Sequence, residues 1–167
     1  MNRLLLLTKN QFFGAAASFV SRLDMLPANF SPLGSFGFFG GNPVLFGVTI
    51  IAFDVFVKGF YQGFWLTYIG FACYPVLGWL AKKSPLRQVV ALPLASFLFF
   101  LISNLGVWLY WYDHTWSQLL VCYSLALPFY QRTLIGDLVF GYGYLLFKHC
   151  NFKLFTVKKS PAVAPTF

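Results

Sequence analysis

Four long apolar stretches, almost free of charged residues, constrain the fold of this 167-residue chain more than any other feature. They cover residues 43–57, 64–81, 88–111 and about 132–148. Each approaches the roughly 20 apolar residues that an α-helix needs to cross a bilayer. Because a 19.0 kDa globule has too little interior to bury so much apolar surface, we predict an all-α, polytopic membrane helix bundle.

The composition supports this prediction and excludes other classes of protein. Hydrophobic residues make up 59% of the chain and charged residues only 10%, whereas soluble domains carry about 25% charged residues. Disordered chains show the opposite balance. The net charge of +8 is not arranged as a basic stripe with interleaved aromatic residues, so nucleic acid is not an expected partner and the charge is assigned to membrane orientation.

Three further segments are less clearly membrane-spanning. Residues 10–23 are apolar and rich in small side chains but begin with polar groups. Residues 31–41 would extend only about 16 Å as a helix, which is too short to cross alone. Residues 115–130 mix polar and apolar positions and reach Pro128 near their end, so we predict an interfacial or re-entrant helix there.

Basic residues predict the orientation of the bundle. One group, Lys82, Lys83 and Arg87, lies between the second and third clear spans, and another follows the last span. The positive-inside rule places both groups in the cytoplasm. Because Arg3 and Lys9 also favour a cytoplasmic N-terminus, residues 10–23 and 31–41 must both cross, which makes six spans with both termini cytoplasmic.

The organisation expected from this count is simple. Residues 1–155 form one transmembrane domain, and residues 156–167 form a short basic, proline-containing cytoplasmic tail. A cleaved signal peptide is an alternative interpretation of the N-terminus, but Lys9, Asn10 and Gln11 interrupt the apolar region that such a peptide requires.

Polar residues collect toward the outer side of the predicted bundle. All four acids, which are aspartates, fall in its outer half or outer loops. Because ionisable groups at membrane depth line a cavity or find a partner, we predict an outward-facing polar pocket roofed by residues 24–31, 58–63 and 113–131. The residues expected to bind a ligand are Asn29, Asp54, Asn104, Tyr123, Gln131, Arg132 and Asp137.

A purely structural role is the alternative for the charged members of this group. Asp54 and Lys58 are four residues apart on a predicted helix, which suits an ion pair. Asp137 and Arg132, which are five residues apart, are the second expected ion pair. Ion pairing and ligand binding can coexist, so both interpretations stand at this stage.

Several short segments resemble one known family. They read NFSPLG at 29–34, FGG at 39–41, SNLGVW at 103–108, CY at 122–123 with ALPF at 126–129, and TLIGDL at 133–138. Together they resemble the signatures of an uncharacterised family of small bacterial integral membrane proteins. The resemblance covers about residues 20–140 and implies a place in the bacterial inner membrane.

That family in turn resembles the substrate-binding S components of energy-coupling factor vitamin transporters. The resemblance implies six helices, an outer ligand pocket, and a coupling protein with ATPases as partners. S components dock through an Ala-x-x-x-Ala face on the first helix. Here Phe19 follows Ala15 at that spacing, and Gly14 with Ser18 keeps the small pair. Gly14, Ala15 and Ser18 are therefore the expected docking residues, with packing inside the bundle as the alternative.

Two functions follow as hypotheses. The first is a solute-binding subunit energised by partners, since the chain has no phosphate-binding loop of its own. The alternative is a non-catalytic accessory subunit of a larger membrane complex.

An enzyme is not expected: Leu134–Asp137 is similar to the Gly-x-Gly-Asp motif of intramembrane aspartyl proteases but lacks its first glycine. No cofactor or metal is expected, because Cys73, Cys122 and Cys150 are isolated.

Overall fold

The computed structural model describes residues 9–157, with the side chains of 11–23 and 26–150. All secondary-structure elements in this part of the chain are helices and it contains no strand, which confirms the all-α prediction. The helices are α1 (Lys9–Val20), α2 (Leu33–Phe39), α3 (Pro43–Phe53), α4 (Phe64–Ala81), α5 (Pro85–Trp111) and α6 (Trp116–Val157). The predicted tail at 156–167 lies almost wholly outside the described residues.

Two of the helices end in a wider turn. α1 continues into a π-helical turn at Ser21–Met25, and α3 continues into another at Asp54–Lys58. The second turn ends at Gly59, whose backbone N–H donates to the Asp54 carbonyl at 2.6 Å. Gly59 has φ of +78°, a conformation that glycine adopts without steric cost. The turn therefore stops α3 sharply and starts the loop to α4.

Contacts between neighbouring helices show that they alternate in direction. Leu66, near the start of α4, lies against Gly106, near the end of α5. The Tyr142 hydroxyl of α6 donates to the Val89 carbonyl near the start of α5 at 2.9 Å. α4, α5 and α6 are therefore successively antiparallel. We call the end of the bundle that carries the α4–α5 connection the basic end, and the opposite end the loop end.

The shortest helix, α2, is the centre of the bundle. It has seven residues, five of them buried, and it contacts each of the other five helices. Glycines permit this packing: a Cβ at Gly78 of α4 would collide with the Phe38 backbone carbonyl, and Gly37 lies directly under the Phe46 ring. The backbones of α2 and α4 therefore approach more closely than any larger residue at position 78 would allow.

Residues 31–41 do not form the crossing helix that the six-span count required. α2 is only about 10 Å long. The preceding loop is irregular and enters the bundle, because the Ser31 backbone lies against Gly136 of α6. α2 then reaches the basic end, where the Gln11 side chain donates to the Gly40 carbonyl at 2.9 Å. Loop and short helix together run from one end of the bundle to the other.

The prediction of a separate helix over 115–130 is wrong, since α6 is continuous for 42 residues and contains Pro128. The connection from α5 occupies only residues 112–115, so α6 must return along α5 at once. The Phe100 ring contacts α6 on both sides of the proline: its centroid lies 5.5 Å from that of Tyr123 and 4.6 Å from that of Tyr130. Residues 116–142, rather than 132–148, therefore pack alongside α5.

Two of the described helices, α4 and α5, are long and apolar enough to cross a membrane. This statement rests on length and composition alone. In each, only 28% of the most apolar 18-residue window is buried inside the bundle. Most of that apolar surface therefore faces outward.

The close approach at Gly78 makes a prediction about stability. Gly78→Ala would force the backbones of α2 and α4 apart, so we expect a loss of about 2 kcal/mol in the free energy of unfolding. For a chain of this size that corresponds to a fall of roughly 4–8 °C in Tm, measured by thermal unfolding in detergent. Gly47→Ala is the matched control, because a Cβ there meets no atom within 4 Å. An equal fall in Tm for both variants would contradict the packing role of Gly78.

Candidate functional site

A cavity of about 260 Å³ lies between the end of α1, the loop at 26–31, α4 and α6. Its lining begins at the loop end with exposed residues, among them Lys58, and reaches buried residues at the centre of the bundle, among them Tyr74 and Asp137. Four phenylalanine rings, from Phe30, Phe53, Phe71 and Phe99, also line it. The cavity thus combines a cationic mouth, aromatic walls and a polar inner end.

The inner end is built around one buried carboxylate. Asp137 and Tyr74 are each only 1% exposed. The Tyr74 hydroxyl donates to Asp137 Oδ2 at 2.5 Å, and the Ser35 hydroxyl donates to the Asp137 backbone carbonyl at 2.9 Å. A Cβ at Gly34 would collide with Asp137 Oδ1 and with the Tyr74 ring. Position 34 must therefore be glycine for α2 to sit against this pair.

The loop that covers the cavity is fixed by its neighbours on α6. A Cβ at Gly136 would lie 3.1 Å from the Ser31 backbone nitrogen, so the loop packs directly on the helix. The Phe30 and Phe140 rings lie 5.5 Å apart. Asn29 adopts φ of +65°, a conformation that asparagine tolerates better than most residues. These contacts hold an irregular backbone segment at the cavity wall.

The one ion pair found among the described residues, Arg22 with Asp54, lies at the mouth of the cavity. Arg22 Nη2 lies 3.9 Å from Asp54 Oδ1, and its guanidinium carbon lies 3.9 Å above the centre of the Phe53 ring. The Tyr68 hydroxyl donates to Asp54 Oδ2 at 2.7 Å. Arg22 Nη1 is buried without a hydrogen-bond partner. One nitrogen of the guanidinium is thus left to bind something else.

Neither ion pair expected from the sequence forms among the described side chains. Asp54 pairs with Arg22 instead of Lys58, which is exposed at the mouth. Asp137 and Arg132 are five residues apart, which places them about 140° apart around a helix. Asp137 therefore faces the interior, while Arg132 is exposed on the outer face of α6.

A second cavity of about 210 Å³ adjoins the first and shares Asn29, Phe99 and Thr133 with it. It lies between α5 and α6, and Asn104 belongs to its lining. The Asn104 amide donates to the Phe100 carbonyl at 2.8 Å. The three shared residues form the boundary between the two cavities.

The structure brings together only part of the predicted site. Asn29 and Asp137 line the first cavity, Asn104 lines the second, and Asp54 lies behind Arg22. The Tyr123 hydroxyl is held by the Leu101 carbonyl at 2.6 Å and lines neither cavity. Gln131 and Arg132 are exposed and line neither cavity.

Sequence reasoning missed Arg22 and Tyr74 as site residues. A signal for Tyr74 exists, because a tyrosine in the middle of the apolar stretch 64–81 must find a partner for its hydroxyl. Arg22 gives a weaker signal, since its position near the end of an apolar segment is also typical of an interfacial residue. Its neighbour Asp24 lies outside the described side chains.

The docking residues expected on α1 face the interior instead. A Cβ at Gly14 would lie 2.8 Å from the Phe36 ring. Ala15 is 9% exposed and Ser18 is fully buried. Because α1 packs against α2 and α3 with these small residues, they are not available to a partner protein. The alternative interpretation, packing within the bundle, describes their position.

The segments that carry the family resemblance meet around the two cavities. Residues 29–34 pack on residues 133–138 through Ser31 and Gly136 and through Gly34 and Asp137. Residues 103–108 contact residues 122–129, since the Cys122 thiol donates to the Asn104 carbonyl at 3.6 Å. Among the described residues no group of three or more His, Cys, Asp or Glu side chains is placed to hold a metal ion.

Comparison with known proteins identifies the family but no function. The model of a family described as "Family of unknown function (DUF6580)" matches residues 3–161, so the chain belongs to that family. No curated protein matches the chain. No solved structure matches it either.

The buried pair makes a second prediction. Tyr74→Phe removes the hydroxyl that donates to Asp137, so we expect a loss of about 1–3 kcal/mol in the free energy of unfolding. Asp137→Asn should be destabilising too, and the double variant should lose less than the sum of the single losses, because each group is the other's partner. The measurement is a double-mutant cycle by thermal unfolding. Tyr144→Phe is the control, since Tyr144 is 44% exposed; strict additivity at positions 74 and 137 would refute the coupling.

Proposed function

We propose that this member of a family of unknown function is an integral membrane protein with six crossings that binds a small solute, as S components do. The observation that carries the proposal is the cavity that leads from Arg22 and Lys58 to the buried Tyr74–Asp137 pair. A buried carboxylate and an internal cavity both cost stability relative to a fully packed apolar core. A binding site explains both features at once.

The outer surface of the bundle supports a place in the bilayer. Large apolar side chains are exposed on every long helix, with Phe56 at 81% and Trp116 at 82% exposure as the extremes. Soluble monomers rarely expose apolar patches of more than a few hundred Å². In a bilayer the same side chains would contact apolar acyl chains instead of water.

The described helices can supply six crossings. α4 and α5 have 18 and 27 residues, and α6 is longer than either. α1 and α3, with their π-helical turns, reach residues 9–25 and 43–58, close to the lower limit of about 17 residues for a crossing. The loop at 26–32 with α2 makes the sixth. Irregular backbone at membrane depth is tolerated where it lines a cavity, and here it does.

The orientation follows from the charges. Lys82, Lys83 and Arg87 lie at the basic end, which the positive-inside rule assigns to the cytoplasm. α1 begins at that end and α6 finishes there, so Lys9 and Val157 both lie on the cytoplasmic side. The mouth of the cavity then faces outward, where an import protein meets its solute. The membrane is the bacterial inner membrane, as the family resemblance implies.

Partner subunits supply the energy in this proposal, and α6 offers a surface for one of them. Gln131 and Arg132 are exposed beside Tyr130, which stacks on Phe100 near the middle of α5. An arginine facing lipid at that depth costs about 2.5–3.5 kcal/mol on insertion scales. A partner helix that carries a carboxylate would remove this cost. The same observation favours the second candidate function, an accessory subunit held in a larger complex by α6.

The proposed orientation makes a third prediction. In a variant that lacks the three native cysteines, Lys58→Cys should react with a membrane-impermeant maleimide added to intact spheroplasts, because position 58 lies at the outer mouth. Lys82→Cys should react only after the membrane is opened. Labelling is read by mass shift on a gel. Protection of position 58 together with labelling of position 82 in intact cells would reverse the orientation.

The binding proposal makes a fourth prediction. Protein purified gently from native membranes should retain a small molecule, which native mass spectrometry should detect as an added mass. The fraction of protein that carries this added mass should be lower for Asp137→Asn. Thr133→Val, which alters the cavity wall without touching the Tyr74–Asp137 pair, is the second variant. A co-purifying coupling protein with ATPases supports import. Stoichiometric recovery in another assembly, with no retained molecule, would favour the accessory role.

A further inference from the structure

We infer that the solute is a compact ring compound with an anionic group at one side and a hydrogen-bond donor at the other. The anion lies at Arg22 and Lys58, and the donor lies at Asp137. This inference rests on the proposed function and names the ligand class for the same cavity. It follows from the charges at the mouth, the acceptors at the inner end and the walls between them.

The mouth has an excess of positive charge. Arg22 and Lys58 both line the cavity, and the one described carboxylate nearby is Asp54, 3.9 Å from Arg22. Asp54 also accepts the Tyr68 hydroxyl, so its charge is shared between two partners. The mouth therefore carries a net charge of about +1 and attracts an anion.

An unsatisfied donor at the mouth points to the same chemistry. Arg22 Nη1 is buried and has no hydrogen-bond partner, although buried polar groups are almost always paired. Arg22 itself cannot rotate freely, because its guanidinium rests on the Phe53 ring and pairs with Asp54. A carboxylate on the solute would accept from Nη1 and lie within the field of Lys58.

The inner end has acceptors to spare. A carboxylate offers about four acceptor positions, and the Tyr74 hydroxyl donates to one oxygen of Asp137. The Ser35 hydroxyl is used by the Asp137 backbone carbonyl instead. The Ser96 hydroxyl is fully buried beside the Tyr74–Asp137 pair and is a second side chain that can donate to Asp137, which leaves about two of the four acceptor positions open. An N–H or O–H group on the solute would satisfy this end.

The walls define the body of the solute. Phe30, Phe53, Phe71 and Phe99 line the cavity, and the Phe71 and Phe99 rings stack with centroids 4.4 Å apart. A flat apolar ring packs well on such surfaces. The volume of about 260 Å³ is below the range of roughly 300–1,000 Å³ that holds drug-sized ligands. The solute is therefore small.

Other ligand classes fit less well. A purely cationic solute would bring its charge next to Arg22 and Lys58 at the mouth. A sugar would bury many hydroxyl groups against phenylalanine rings that cannot hydrogen-bond to them. The combination of a cationic mouth and an acceptor-rich inner end instead favours a solute that is polar at both ends.

The test uses three probes of one shape on the full-length protein in detergent: 4-aminobenzoate, benzoate and aniline. 4-Aminobenzoate carries both groups, and each of the others lacks one. We expect 4-aminobenzoate to bind most tightly by isothermal titration. Lys58→Gln should weaken binding of 4-aminobenzoate and benzoate by about threefold to fivefold and leave aniline unchanged. Asp137→Asn should remove most of the preference for 4-aminobenzoate over benzoate.

The controls keep the result interpretable. Lys58 is exposed and forms no ion pair with a described residue, so its loss should not unfold the protein, and Lys82→Gln at the basic end should change no affinity. If aniline binds as tightly as 4-aminobenzoate and ignores Lys58→Gln, the anionic assignment is wrong while solute binding stands. If no probe binds and the purified protein retains no small molecule, solute binding itself fails.

Discussion

The close packing of α2 against α4 and α6 is the constraint on which the rest of the structure depends. Gly78 admits the Phe38 carbonyl, Gly34 admits the Asp137 carboxylate, and without these two contacts α2 could not occupy the centre. The Tyr74–Asp137 hydrogen bond then links α4 to α6 across it. Because α2 contacts every other described α-helix, a shift in its position would change the packing of all of them.

Much of the helical structure could be predicted from local patterns. The stretch 64–81 coincides with α4, and 88–111 lies within α5, because long apolar runs decide both. Pro128 misled the prediction for α6, since a proline usually ends a soluble helix. In the structure the Tyr130 ring, two residues after this proline, stacks on the Phe100 ring of α5. That is a contact between residues 30 positions apart, and no local pattern contains it.

The sequence predicted only some of the residues that line the two cavities. Asn29, Asn104 and Asp137 stand out as polar residues in apolar surroundings, and they line the two cavities. Arg132 looks similar in the sequence, but its angle around α6 turns it away from Asp137. The partner of Asp54 could not be read from spacing, because Arg22 lies on another helix and meets it only through the parallel packing of α1 and α3.

The cavity and the central short helix have the same physical origin. A segment made of an irregular loop and only seven helical residues leaves backbone groups without helical partners, and these need polar neighbours or water. The loop at 26–31 therefore lies beside a space that water or a solute can enter. Asn29, with its positive φ, belongs to this loop and lines both cavities. The irregular segment before α2 therefore forms part of the wall of the first cavity.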